Sequence, residues 1–262
     1  MQVHLDSRPV RTANRRILTL PHHKRALATS IALEWDNLVS AQQALKQHYI
    51  PLTSLTSRAL DLQTEDAQGE TKTRQDIVKT MMRYLGTDTL LCWAPEKDRH
   101  NPMGMDGTSG SGSGQSLRQK QIATAEPIIA YLKTHIFPGV DIEPILDEDS
   151  IMPRAQSQMT QEVIRGWLSG LPAFELAALE RGVLASKSLL VAVRLLVEWS
   201  QEFRSLQPRE GASKRFGIAD AAEASSVEVT WQTNMWGEVE DTHDVEKEDL
   251  ARQLGSAILL VC

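Results

Sequence analysis

Short alternating runs of apolar and polar residues open the chain. Residues 3–6 and 8–10 flank a polar turn, and a further extended run occupies residues 17–21. Such runs predict β-strands, because neighbouring side chains of a strand point to opposite faces. The sequence therefore predicts one or two β-hairpins here. Since the chain begins inside a predicted strand, we expect a leader and some mature residues to precede it.

Beyond these runs, apolar residues recur at helical spacing. Pro21 suits the first turn of a helix, and a single apolar stripe follows it, formed by Leu27, Ile31, Trp35 and Leu38. The spacing predicts that Trp35 is a structural core residue flanked by surface acids. An interface role for Trp35 stays open, because tryptophan is enriched in binding hot spots. Further helices are predicted near residues 53–62, 77–85, 122–136, 161–168, 174–198, 219–231 and 249–260.

The second half of the chain is the more strongly helical. Residues 174–198 carry a wide apolar belt, which predicts one long helix, or a bent pair, that is buried on several sides. Residues 89–93 form a short apolar run that is either a buried strand or an extended link. With strand signals first and helices afterwards, the predicted fold class is α+β and mainly α.

A tract of glycine and serine interrupts the helical pattern. Residues 106–114 read DGTSGSGSG, inside a segment at about 101–116 that has no apolar periodicity. This composition cannot bury a core and predicts a flexible insertion. Helices are predicted on both sides, so we place the insertion within the helical part and not at a domain boundary.

Composition limits the class of protein. The chain has 262 residues, of which 41% are hydrophobic and 24% are charged, as in ordinary soluble globular proteins. The net charge of −6 argues against nucleic-acid binding. No apolar run approaches the roughly 20 residues of a membrane span, so membrane insertion is not expected. Two cysteines, Cys92 and Cys262, cannot form a disulfide framework, and they favour a reducing compartment.

Candidate catalytic and metal-binding motifs are few. The sequence lacks a dinucleotide-binding or phosphate-binding glycine loop, and the glycine–serine run GSGSG at 110–114 lies in the predicted flexible tract, away from the strand and helix that a nucleophile elbow needs. Adjacent residues His22 and His23 would point about 100° apart on a helix, which makes a poor chelate. We therefore predict no enzyme activity, no metal and no cofactor. A hydrolase that uses Cys92 or His243 remains an alternative from another class.

Charge is distributed unevenly along the chain. Residues 1–25 hold six lysines and arginines against one aspartate, and residues 238–249 hold seven acidic residues against one lysine. The acidic run lies between Trp231 and Trp236 on one side and the apolar run 257–261 on the other. Acids beside aromatics favour a docking surface for a basic partner, and the alternative is a solvated helix start. The candidate partner-binding residues are Trp236, Glu240, Asp244 and Glu246.

Seven segments, in order along the chain, resemble the mitochondrial ATP synthase assembly factor 2 family. They read LDSRPVRT (5–12), LTLP (18–21), ALEWD (32–36), PLTSL (51–55), TDTLLC (87–92), LASKSLL (184–190) and WGEVE (236–240), the last followed by His243 and Asp244. Ordered matches over most of the chain are more specific than any single motif.

This resemblance implies a fold, a function and a location. The implied fold is a small N-terminal β domain, of which residues 1–21 would be a remnant, followed by a helical domain at 22–262. Members of the family are soluble chaperones of the mitochondrial matrix. They bind the unassembled alpha subunit of the ATP synthase head until the beta subunit replaces them. The resemblance implies no cofactor and no catalytic residue, and we expect a monomer. The alternative is a helical adaptor that binds another partner.

Overall fold

The computed structural model describes residues 1–95, 116–146, 153–207, 214–239 and 242–262. The predicted insertion at about 101–116 lies outside these ranges except for Ser116. That residue begins the helix that follows, because its hydroxyl accepts a hydrogen bond from the backbone N–H of Gln119. Glu240, one of the candidate partner-binding residues, also lies outside the described residues.

A small antiparallel sheet stands at the N-terminus, as the alternating runs predicted. Strands β1 (His4–Leu5) and β2 (Arg8–Pro9) pair with His4 opposite Pro9. Asp6 has a φ of 53° in the tight turn between them. Two further bridges extend the pairing, Gln2 with Thr19 and Arg11 with Ile17. The apolar side chains of this segment belong to the same buried cluster as those of the helices, namely Val3, Val10, Leu18 and Leu20.

Helices make up most of the remaining described chain, which confirms the α+β, mainly α prediction. They are α1 (Arg25–Asp36), α2 (Pro51–Ala67), α3 (Lys72–Leu85), α4 (Leu117–His135), α5 (Gln158–Ser169), α6 (Ala173–Ser186), α7 (Leu189–Trp199), α8 (Ile218–Ser225), α9 (Val227–Trp236) and α10 (His243–Val261). Short 3₁₀ helices cover Gln43–Leu45 and Gln201–Leu206.

Helices α6 and α7 form the centre of the core. They are the bent pair that the sequence left open at 174–198, and Lys187, with a φ of 58°, makes the break between them. Almost every residue of α7 is buried, and α6 packs against α2, α7 and α10. A Cβ added at Gly182 would lie 3.2 Å from the Cβ of Ala192, so the absence of a side chain there permits the close approach of the two helices.

The joint between α1 and α2 departs from the sequence prediction. Trp35 is half-buried against the core, and its Nε1 donates a hydrogen bond to Thr53 Oγ1 at 2.8 Å. Glu34 is no surface acid, because its carboxylate accepts from the backbone N–H groups of Leu52 at 2.7 Å and Thr53 at 2.9 Å. It thereby caps the first turn of α2. Leu38 lies beyond the end of α1 and does not continue the stripe.

Asp88 ties the link after α3 to the core. Residues 89–93 form turns and an extended link and not a strand, which decides between the two alternatives for this run. Asp88 is fully buried, and its two carboxylate oxygens accept from the backbone N–H groups of Leu90 and Leu190, each at 3.0 Å. Burial raises the pKa of Asp88 to about 6, although hydrogen bonds from Ser188 and the backbone oppose that rise.

Helix α10 joins the two ends of the described chain. It packs against α1, α2, α6, α7 and α8. At its C-terminal end, the buried ammonium group of Lys24 donates to the carbonyl oxygen of Leu260 at 2.8 Å and lies 3.4 Å from that of Cys262. A cation suits the carbonyl end of a helix, and burial lowers the pKa of Lys24.

Candidate partner-binding surface

Half of the ten residues of helix α9 are apolar, and yet none of the ten is buried. The sequence predicted one helix over 219–231, but Ser226 divides it into α8 and α9. Trp236 is 75% exposed, and its ring meets that of Trp231 edge to face, with 6.4 Å between the centroids. Val229 and Met235 are exposed on the same helix. Solvent-exposed apolar side chains on a short helix are typical of a surface that binds another protein.

The chain continues from α9 into the acidic run. Gly237 ends α9 with a φ of 90°, a conformation that favours glycine. Val239 and Val245 are each 59% exposed, so the apolar character of α9 extends along the chain into α10. We call residues 227–249, as far as they are described, the α9–α10 segment.

Asp244 and Glu246 lie in the first turn of α10, and both are exposed. In that position a carboxylate interacts favourably with the positive end of the helix dipole. Within the described residues, no hydrogen bond or ion pair links Asp244 or Glu246 to Trp236. The structure therefore shows these predicted site residues as neighbours along one exposed segment and not as a bonded cluster. Their role in binding stays a prediction.

A small cleft of about 140 Å³ lies where α9 begins, between that helix and the link after α3. Its walls include Cys92, Gln121 and Glu228. Burial is the main cause that raises the pKa of the Cys92 thiol, and Asp88 and Glu228 add to the rise. A raised pKa leaves less thiolate at neutral pH, so the geometry offers no support for Cys92 as a nucleophile.

A charge network between α7 and the segment before α8 had only a weak sequence signal. Glu198 is fully buried, and Arg194 Nη1 donates to Glu198 Oε2 at 2.6 Å. Arg194 also lies over the Tyr131 ring, 3.8 Å from its centroid, and Arg215 donates to the other oxygen of Glu198 at 3.3 Å. Both arginines keep this buried carboxylate compensated. The spacing of four residues between Arg194 and Glu198 was the signal that could have indicated the pair.

Two further features of the described chain bear on the kind of site. No three His, Cys, Asp or Glu side chains in the described ranges are grouped closely enough to hold a metal ion. None of the helices described above combines the length and apolar character that crossing a lipid bilayer requires.

Comparison with known proteins agrees with a binding protein of the chaperone class. A family model described as ATP12 chaperone protein matches residues 1–133. The chain belongs to the ATP12 chaperone family, and the family resemblance of the sequence is thereby confirmed.

The relatives match over nearly the whole chain. Mitochondrial protein atp12 of Schizosaccharomyces pombe is 30% identical over 258 residues, which span 98% of this chain and 76% of the relative. Mitochondrial protein ATP12 of Saccharomyces cerevisiae is 31% identical over 269 residues, which span 97% of this chain and 76% of the relative. The crystal structure of Atp12 from Paracoccus denitrificans has the same fold, with a TM-score of 0.65 at 21% identity over 99% of this chain and 89% of that one.

Proposed function

We propose that this chaperone assists assembly of the catalytic head of mitochondrial ATP synthase by binding the unassembled alpha subunit. It shields the interface of that subunit until the beta subunit takes its place, and it acts as a monomer in the mitochondrial matrix. Membership of the family supports this function, and the names of the yeast relatives support a mitochondrial location.

The exposed apolar face of α9 is the observation that carries the proposal. A subunit that waits for its partner exposes a patch more apolar than ordinary surface, and such a patch promotes aggregation. Trp236, Met235 and Val229 offer apolar side chains to cover it. The neighbouring acids Asp244 and Glu246 favour basic groups around the patch and reject acidic ones. Binding of this kind requires complementary shape and charge, without covalent chemistry.

The direct test is protection of the isolated alpha subunit. Isolated alpha subunit is diluted from denaturant with or without the chaperone, and the alpha subunit that remains soluble after centrifugation is measured. We expect the chaperone to keep it soluble, and we expect added beta subunit to release the chaperone from the complex. Isolated beta subunit serves as the control client. Equal protection of both subunits, or none of either, would contradict the proposal and favour an adaptor for a different partner.

A matched pair of variants tests whether α9 is the surface involved. Trp236→Ala removes the most exposed ring of the segment, so the fold should keep its stability while protection of the alpha subunit falls. Met159→Ala removes a side chain that is 59% exposed on α5, away from the segment, and protection should be unchanged. If Trp236→Ala protects the alpha subunit as well as the unmodified chain does, the binding site lies elsewhere.

A further inference from the structure

Arg181, on α6, has an unusual environment for an arginine. It is half-buried, and within the described part of the chain its guanidinium makes neither a hydrogen bond nor an ion pair within 4 Å. An arginine has five N–H donors, and a half-buried one normally spends several of them on carboxylates or carbonyls. Burial lowers the pKa of this guanidinium, because removing its charged form from water is unfavourable.

The carboxylates whose charges reach Arg181 are already engaged with other residues. Glu180 receives two hydrogen bonds from Arg58, one to each oxygen, at 3.1 and 3.0 Å. Asp249 accepts from Arg252 at one oxygen and from Gln253 at the other. Among the residues that the structure describes, Arg181 therefore has acidic neighbours but no hydrogen-bond partner of its own, and its donors remain available.

Those donors line a cleft of about 400 Å³ between α2, α6 and α10. The lining residues are Gln47, His48, Pro51, Arg181, Asp249, Arg252, Gln253 and Ser256. Arg252 is held in place, because its Nη1 donates to the carbonyl oxygen of His48 at 2.8 Å. A water molecule occupies about 30 Å³ of liquid, so the cleft has room for a polar group of several heavy atoms.

The charges of the cleft select the class of ligand. Arg181 and Arg252 contribute two positive charges and Asp249 one negative charge, so a single positive charge remains. A monovalent carboxylate balances this excess, whereas a phosphate dianion would add surplus negative charge beside Asp249. The planar fork of a guanidinium also matches the two oxygens of a carboxylate.

We propose that the Arg181 cleft is a carboxylate-binding site, in which Arg181 donates two hydrogen bonds to the ligand and Arg252 supplies a supporting charge. The carboxylate comes either from an acidic side chain of a bound protein or from a free small carboxylic acid. Asp249 belongs both to this cleft and to the end of the α9–α10 segment. The carboxylate site rests on Arg181 and Arg252, which lie outside that segment, and it does not depend on the binding of the alpha subunit proposed above.

The experiment follows the Nε–H resonance of Arg181 by NMR in the ¹⁵N-labelled full chain. Three probes are titrated: an acetylated and amidated Gly-Gly-Glu-Gly-Gly peptide, propionate, and inorganic phosphate. We expect saturable shifts with the peptide or with propionate, and the tighter of the two identifies the source of the carboxylate. Replacing the glutamate of the peptide by glutamine should abolish its effect.

Variants keep the test specific. Both Arg181 variants lack the Arg181 resonance, so binding to them is followed through the Nε–H resonance of Arg252 in the same cleft. Arg181→Gln should weaken carboxylate binding by roughly tenfold to a hundredfold, the range for a charge-assisted hydrogen bond. Arg181→Lys keeps the charge without the fork, so its loss should be smaller, and it serves as the test if Arg181→Gln does not fold. Arg25→Gln removes an exposed arginine of α1 and should bind as the unmodified chain does. The proposal is overturned if neither carboxylate shifts the resonance, if only phosphate does, or if both Arg181 variants bind normally.

Discussion

The buried carboxylate of Asp88 predicts an unusual dependence of stability on pH. A buried aspartate with a pKa of about 6 keeps its proton in the folded state at pH values where the unfolded chain, with an ordinary pKa of about 3.9, has already lost it. Between these two values the folded state binds more protons than the unfolded state. The contribution of Asp88 to the free energy of unfolding therefore falls as the pH rises from about 4 to about 6, and stays constant above that.

The size of the effect follows from the shift in pKa. A difference of about two units corresponds to about 3 kcal/mol in total, of which about 2 kcal/mol is lost between pH 4.5 and pH 7. Other carboxylates titrate in the same range, so the stability of the unmodified chain alone is not informative. The useful quantity is the difference between the unmodified chain and Asp88→Asn, because the other groups cancel in that difference.

Asp88→Asn has two opposing effects at pH 7. It removes the cost of a buried charge, but it leaves one of the backbone N–H groups of Leu90 and Leu190 without an acceptor, which costs about 1–3 kcal/mol. We expect the two forms to have similar stability at pH 7 and the unmodified chain to gain about 2 kcal/mol relative to the variant at pH 4.5.

Urea unfolding followed by tryptophan fluorescence at both pH values measures this difference. Asp76→Asn, which removes an exposed carboxylate of α3, is the matched control. A stability difference for Asp88→Asn that stays constant between pH 4.5 and pH 7, or that changes in the opposite direction, would refute the reasoning.

Three other predictions concern packing and the α9–α10 segment. Trp35→Ala should lower the free energy of unfolding by about 2–3 kcal/mol, which is less than for a fully buried tryptophan, because the ring is only half-buried. Urea unfolding measures this loss, and normal stability with lost alpha-subunit binding would make Trp35 an interface residue. Gly182→Ala should lower the free energy of unfolding by about 1 kcal/mol because the added methyl group overpacks the contact with Ala192. Gly166→Ala, with open space at its Cβ, should raise the free energy of unfolding slightly, and calorimetry measures both changes. Glu246→Lys should leave folding intact and weaken binding of the alpha subunit in a salt-dependent way. If the variant protects the alpha subunit from aggregation as well as the unmodified chain does, Glu246 has no role in binding.

Periodicity predicted the helices well because the core of this protein is formed by the apolar faces of helices, whose residues recur at helical spacing in the sequence. The belt at 174–198 predicted deep burial, and α6 and α7 are the most buried helices of the described chain. The break at Lys187 was not predictable, since a left-handed lysine carries no local signal comparable to that of glycine. The helix predicted at 219–231 divides for a similar reason, because Ser226 is compatible with either outcome.

Contacts between distant residues account for most of what the sequence did not reveal. Glu34 looked like a surface acid, and its role as the cap of α2 depends on residues 18 and 19 positions further along the chain. The unused donors of Arg181 also depend on contacts between distant residues, because each neighbouring carboxylate accepts hydrogen bonds from a different side chain. By contrast, the exposed acids at the start of α10 were recognisable from charge density alone, although the sequence could not show that Trp236 stands clear of the core.

The position of α10 has a consequence for how this chaperone itself folds. The helix fills a place between elements from all parts of the chain, and Lys24 bonds to a carbonyl 236 positions later. During vectorial synthesis or translocation, the earlier helices emerge while the surfaces that α10 covers are still open to water. Such long sequence separations slow folding and prolong the exposure of apolar surface. This chaperone therefore passes through a vulnerable interval of its own, which ends only when α10 has docked.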